Sequence, residues 1–116
     1  MLEWSSEVKI YLCTGHTDMR KGVNGLALLA QSLVSNQFSK GVLCVFRGKQ
    51  ADKIKILWWD GQGFCLYYKC LDRGKFMWPK VDEQNCLGIT RAQLSMLIEG
   101  IDWRQPKWSN QPEYAG

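Results

Sequence analysis

Val8, Ile10 and Leu12 alternate with Lys9 and Tyr11, which predicts a short strand over Val8–Leu12, stopped by Thr14-Gly15-His16. The period then changes. Val23, Leu26, Leu29, Ala30, Leu33 and Val34 recur at helical spacing and predict a helix reaching Ser35-Asn36, with Asp18 or Thr17 supplying the capping oxygen. Gly22 and Gly25 fall in its first two turns, where each disfavours helix by up to roughly 1 kcal/mol relative to Ala. Such a choice of residue points to a close approach of backbone or ligand at the helix start.

After Gly41 the period drops to two, and four strands are expected: Val42–Arg47, Lys53–Trp59, Phe64–Leu71 and Lys75–Trp78. The polar run Gly48-Lys49-Gln50-Ala51-Asp52 joins the first two. Asp60-Gly61-Gln62-Gly63 carries an Asp-Gly hairpin signal, Arg73-Gly74 makes the next turn, and Pro79 ends the series. With even-numbered loops, Lys53, Lys55, Leu57 and Trp59 share a face with Phe64, Leu66, Tyr68 and Cys70. Ile54, Ile56 and Trp58 then share the other with Cys65, Tyr67, Lys69, Leu71, Phe76 and Trp78, and a three-residue loop would reverse the assignment.

The last element is the most clearly signalled. Thr90 and Gln93 form a capping box, Ile89 and Leu94 occupy the staple positions, Leu94, Leu97 and Ile98 make an apolar stripe, and Gly100 is a helix stop. The element order predicts an α+β fold: a single domain over residues 1–104, with an antiparallel β-meander of about four to five strands and two helices packed on one face. Residues 105–116, with two prolines and no period, read as a loosely ordered tail.

Composition narrows the function classes. At 116 residues and 46% apolar content the chain is long enough for one core and too apolar for disorder. The five cysteines are scattered without a CxxC pair and His16 stands alone, so no zinc set is expected, and the thiols read as reduced and mostly buried. The N-terminus has acids where a signal peptide needs bases, and no run approaches the roughly 20 apolar residues of a membrane span, so the cytoplasm is the expected compartment. Catalysis finds little support. His16 is the sole histidine, no carboxylate pair has compelling spacing, and no base is placed near a thiol. The chain therefore reads as a non-enzyme, with no cofactor motif, no metal site and no small-molecule substrate.

Charge changes the picture more. Between Lys40 and Lys80 nine Lys/Arg stand against Asp52, Asp60 and Asp72, a local +6, whereas the remainder sums to −2. A basic centre with acidic flanks suits an anionic partner, although lysines on a ribbon also guard sheet edges. The same stretch holds Trp58, Trp59, Phe64, Tyr67, Tyr68, Phe76 and Trp78, and rings beside bases suit nucleic acid. On that reading Arg47, Lys49, Lys53, Lys55, Lys69, Arg73 and Lys75 are the phosphate-contacting residues. Arg20 and Lys21, beside Gly22 at the helix start, form a second basic patch. The competing reading docks a protein through Trp58, Trp59 and Trp78, with the lysines only solubilising the sheet.

TDMRKGVNGL (17–26), VFRGKQADKIKILWWDGQGFCLYYKCLDRGKFMWP (45–79) and LSMLIEGIDWRQP (94–106) resemble, in order and spacing, the accessory Orf2 or TnpB proteins of IS66-type bacterial insertion sequences. The resemblance implies a non-catalytic accessory protein of transposition, encoded beside a larger transposase that carries the catalytic carboxylates. Its expected partners are duplex DNA at the ends of the element and the transposase with other proteins of the same element. Cys70 departs from the family's pattern, standing where a basic residue is expected, and removes a charge from the ribbon.

Overall fold

The computed structural model describes residues 8–34, 41–79 and 86–103. Five strands, β1 (Lys9–His16), β2 (Val42–Arg47), β3 (Lys53–Trp59), β4 (Phe64–Cys70) and β5 (Cys86–Ile89), form one sheet in the order β4-β3-β2-β1-β5. Two helices, α1 (Val23–Leu33) and α2 (Arg91–Ile98), complete the α+β fold that the hydrophobic pattern predicts.

The hairpin parity holds throughout the ribbon. Lys53 pairs with Cys70, Lys55 with Tyr68, Leu57 with Leu66 and Trp59 with Phe64, so these side chains share a face. Ile54, Ile56 and Trp58 share the other with Lys69, Tyr67 and Cys65. The four-residue turn is held by Asp60, whose Oδ1 accepts from Gln62 N at 2.8 Å and Gly63 N at 2.9 Å.

Three expectations need correction. The sheet is not wholly antiparallel, because β1 runs parallel to β2. The intervening helix forces this: β1-α1-β2 is a crossover unit, and a crossover returns the chain in the same direction. Nor do the helices share a face. Leu94, Leu97 and Ile98 of α2 pack with Ile10, Leu12, Leu43, Val45, Ile54 and Ile56. Leu26, Ala27 and Ala30 of α1 pack with Cys13, Val42, Cys44, Phe46 and Leu57, on the other side. The cause is visible in β2, where all of Val42–Phe46 is buried, an uninterrupted apolar run of the kind that needs cover on both faces. Finally, Lys75–Trp78 is not a strand. After Gly74, at φ 83°, the chain crosses under the β2–β3 loop, and Phe76 N donates to Ala51 O at 2.8 Å.

The helix ends differ in their making. The capping box at α2 is present: Gln93 N donates to Thr90 Oγ1 at 3.0 Å and Thr90 N to Gln93 Oε1 at 2.9 Å. Gly100 (φ 78°) terminates α2 as a Schellman turn, with Gly100 N on Leu97 O and Ile101 N on Met96 O. Neither Thr17 nor Asp18 caps α1, which starts later, at Val23, behind a Gly22 cap that offers no side-chain oxygen. β1 extends to His16, beyond the expected Leu12, through an irregularity in its pairing with β2. The predicted helix end at Ser35-Asn36 and the tail 105–116 lie outside the described residues. Among the described residues no helix is long and apolar enough to cross a membrane.

Candidate nucleic-acid interface

At one end of the sheet β1, β2 and β4 finish and β3 begins, so three connections meet there: residues 17–22, 48–52 and 71–75. Their backbones are tied together. Thr17 N donates to Arg47 O at 2.9 Å, and Leu71 N donates to Asp52 O at 2.9 Å. The β2–β3 loop closes on itself through Gly48 N to Lys53 O and Ala51 N to Gly48 O, both 3.2 Å. Ala51 takes the left-handed conformation (φ 67°), which turns its carbonyl toward both Phe76 N and Trp78 Nε1. Gly48 is required by proximity, because a Cβ there would stand 2.8 Å from Met19 Cγ. Between Thr17–Met19 and Gly48, Lys49, Gln50, Asp52 and Lys53 lies an open depression of about 410 Å³.

All nine proposed phosphate-contacting residues lie in or next to these connections, but they do different things. Lys55 is buried at 7% exposure, and its Nζ donates to Met19 O and Lys21 O, both at 2.9 Å. The same ammonium lies 4.8 Å from the Tyr68 ring centroid. Lys69, on the opposite face, donates from Nζ to Ile98 O at 2.8 Å, where α2 leaves carbonyls unpaired. Burial and two backbone bonds count against Lys55 as a phosphate contact, whereas half-buried Lys69 has one donor on a helix end. Arg47 is intermediate. Its guanidinium lies 5.2 Å from the Trp78 ring centroid, and partial burial draws its pKa below the ordinary value.

Of the other six, five project from the loops and Lys53 opens β3. Lys49 and Lys75 are exposed, as are Lys21 and Arg73. Arg73 lies 4.0 Å from its neighbour Asp72, with both side chains almost fully exposed. Lys53 is partly exposed and contacts Asp52 at 3.4 Å. Arg20 grips Asp18 through Nε (3.0 Å to Oδ1) and Nη2 (2.9 Å to Oδ2), and these bonds pull the Asp18 pKa down to about 2. Each acid at this end thus sits beside a base of its own, and the bases outnumber the acids.

The aromatic residues do not form one surface. Trp78 is 6% exposed, edge-on to Phe76, with its indole N–H on Ala51 O at 3.3 Å. It belongs to the core, which corrects its place in the proposed docking surface. Trp58 packs half-buried on the α2 face, whereas Trp59 points to the α1 face and meets Phe64 edge-on at 5.0 Å. Among the cysteines only Cys13 and Cys44 are buried, fewer than expected, because Cys65, Cys70 and Cys86 fall at the ends or outer edge of the sheet. A hydrogen bond with Cys44, together with burial, pushes the Cys13 thiol far above its ordinary range.

The model of the family described as IS66 Orf2 like protein matches residues 8–108. The chain belongs to the IS66 Orf2-like family. Membership makes it an insertion-sequence-associated accessory protein, grouped with the other proteins of such an element. Two similar proteins come from Sinorhizobium fredii (strain NBRC 101917 / NGR234). "Uncharacterized protein y4hO" is 45% identical over 116 residues, covering 100% of both chains. "Uncharacterized protein y4jC" is 35% identical over 108 residues, covering 92% of this chain and 91% of its own. No solved structure matches. In the IS66 Orf2-like chain the most recognisable run, KILWWDGQGFCLYYK, maps onto the β3–β4 hairpin, whose inner positions are core and whose two lysines reach backbone carbonyls.

Proposed function

We propose that this IS66 Orf2-like protein assists transposition by contacting the phosphate backbone of element DNA through the basic end of its sheet, alone or with transposase already bound. The observation that carries the reading is the meeting of the three connections there, which gathers exposed Arg20, Lys21, Lys49, Arg73 and Lys75 from distant parts of the sequence. Loop-borne cations at one end of a rigid sheet suit a backbone contact that positions a protein on a duplex without reading bases. No reaction is assigned to this end, since its carboxylates each stand beside a base rather than converging on one point.

Binding of purified protein to duplex terminal-repeat DNA across a salt series tests the proposal. Each true phosphate contact contributes about −0.9 to the slope of log affinity against log salt. Affinity near millimolar at low salt, or a flat salt dependence, would sink it. Docking of transposase through Trp58, Trp59 and Trp78 is less well supported, because Trp78 is core and the other two face opposite sides of the sheet.

A further inference from the structure

The two edges of the sheet are unlike. β5 is four residues long and contains Gly88, a short edge of the kind that resists pairing. β4 is seven residues long, FCLYYKC, and among the described residues no strand lies outside it. It has no proline and no bulge in its register with β3, and Tyr68 is 50% exposed. Its one charge, Lys69, cannot guard the edge, because its ammonium is held on Ile98 O. A long, flat, nearly uncharged edge whose Leu66, Tyr68 and Cys70 ladder groups pair with no described strand is a surface for another strand.

The hydrogen-bond parity says which groups face outward. Leu71 N donates to Asp52 O at one end of the hairpin, and Asp60 N donates to Gly63 O at the other. Both are bonded pairs of the antiparallel ladder, and such pairs alternate with non-bonded ones. Counting inward from either end, Cys65, Tyr67 and Lys69 exchange bonds with β3, so Leu66, Tyr68 and Cys70 turn their N–H and C=O groups outward.

We infer that the β4 edge is a self-pairing surface, onto which a second copy of this chain adds its own β4 antiparallel about a two-fold axis. Full overlap of the two strands centres the axis on Tyr67. Leu66 then exchanges both backbone bonds with Tyr68 of the second copy, and Tyr68 with its Leu66, while Tyr67 meets Tyr67 as a non-bonded pair. Lys69 falls opposite Cys65 of the second copy, so no like charges oppose each other. Charge also selects the occupant. An anionic partner would be drawn to the loop cations at the end of the sheet, and this edge presents none. The five described strands of each copy would join into one continuous sheet, an isologous contact typical of homodimers.

Sedimentation velocity over a wide concentration range reads the result directly, with a reversible species of twice the chain mass expected. Tyr68→Pro removes an outward N–H that the β3 ladder does not use, so the fold persists, checked by circular dichroism, and the dimer is lost. Tyr67→Cys, made with Cys65→Ser and Cys70→Ser, should yield a disulfide-linked dimer with a mild thiol oxidant, since non-bonded pairs bring Cα atoms to about 4.5 Å. The Ser/Ser background alone should not link. A protein monomeric up to hundreds of micromolar overturns the inference, as does a dimer that survives Tyr68→Pro in a folded chain. Failure of Tyr67→Cys to link, or capture by β4 of a transposase segment only, overturns it too.

Discussion

Lys55 and Lys69 differ from Lys49, Arg73 and Lys75 in one respect that decides what they do: the first two sit on strands, the others on loops. All five belong to the same basic stretch and would look equivalent by composition. On the strands, alternation turns Lys55 toward the α1 side and Lys69 toward α2, and backbone carbonyls take both ammonium groups, with Lys55 buried and Lys69 half-buried. On the loops, no helix covers the side chain and the charge stays in solvent. A basic window therefore contains two populations, one that holds the fold together and one available to a partner.

The sharpest way to break this division is Lys55→Met, which keeps the aliphatic length and deletes the donors. Met19 O and Lys21 O would lose a charged partner that lies at 7% exposure, and hydrogen bonds to charged groups contribute about 1.5–3 kcal/mol each. A loss of about 3 kcal/mol in urea unfolding is expected, because the 17–22 connection is then no longer anchored to β3. Lys69→Met should cost less, about 1 kcal/mol, since it removes one bond to a helix end in a partly exposed setting. If the two variants unfold at the midpoint of the parent protein, the strand lysines are not structural and the comparison fails.

How much of this was legible beforehand follows from the same physics. Hairpin parity was readable, because Asp60-Gly61 fixes the loop length and alternation does the rest. The capping box and the Gly100 stop were readable because both are local chemistry. The burial of Lys55 was not, since it depends on the connection into α1 lying across that face, a tertiary fact. A signal existed: a strand-helix-strand start implies a parallel pair covered on both sides, and a lysine inside such a sheet must find carbonyls. Trp78 escaped for a related reason, as its place in the core depends on the Ala51 carbonyl that a positive φ presents. The meeting of residues 17–22 with 48–52 follows from the parallel pairing of β1 with β2, which the strand-helix-strand order signals but no turn or cap motif does.

The loop population answers to the opposite experiment. Combined Lys49→Ala, Arg73→Ala and Lys75→Ala should leave stability within about 0.5 kcal/mol, as surface substitutions usually do. On the proposed function, the salt slope of DNA binding should fall by about 0.9 for each true contact removed. Unfolding and binding measured on one preparation separate the populations cleanly. A triple variant that unfolds early, or one that binds with the parent slope, would erase the distinction from the loop side.

The smallest expected effect concerns Asp18, the acid beside the second basic patch. Hydrogen bonds from the Arg20 guanidinium, the largest cause, and from Arg20 N draw its pKa from 3.8 to about 2. A depressed carboxylate stabilises the folded state at pH values above its unfolded pKa, and that contribution fades as pH falls through 4 toward 2. Both groups are exposed, so the change in stability should be slight and further reduced by salt. Carboxyl NMR is the better measurement: Asp18 should titrate near 2, and Arg20→Gln should return it toward 3.8. The binding consequence has the opposite sign to that of the lysine variants. Asp18→Asn releases Arg20 and removes a negative charge from the basic end, so DNA affinity at low salt should rise while the fold is nearly unchanged. Unaltered affinity in that variant would remove Arg20 from the interface and leave the loop lysines and Arg73 to carry it.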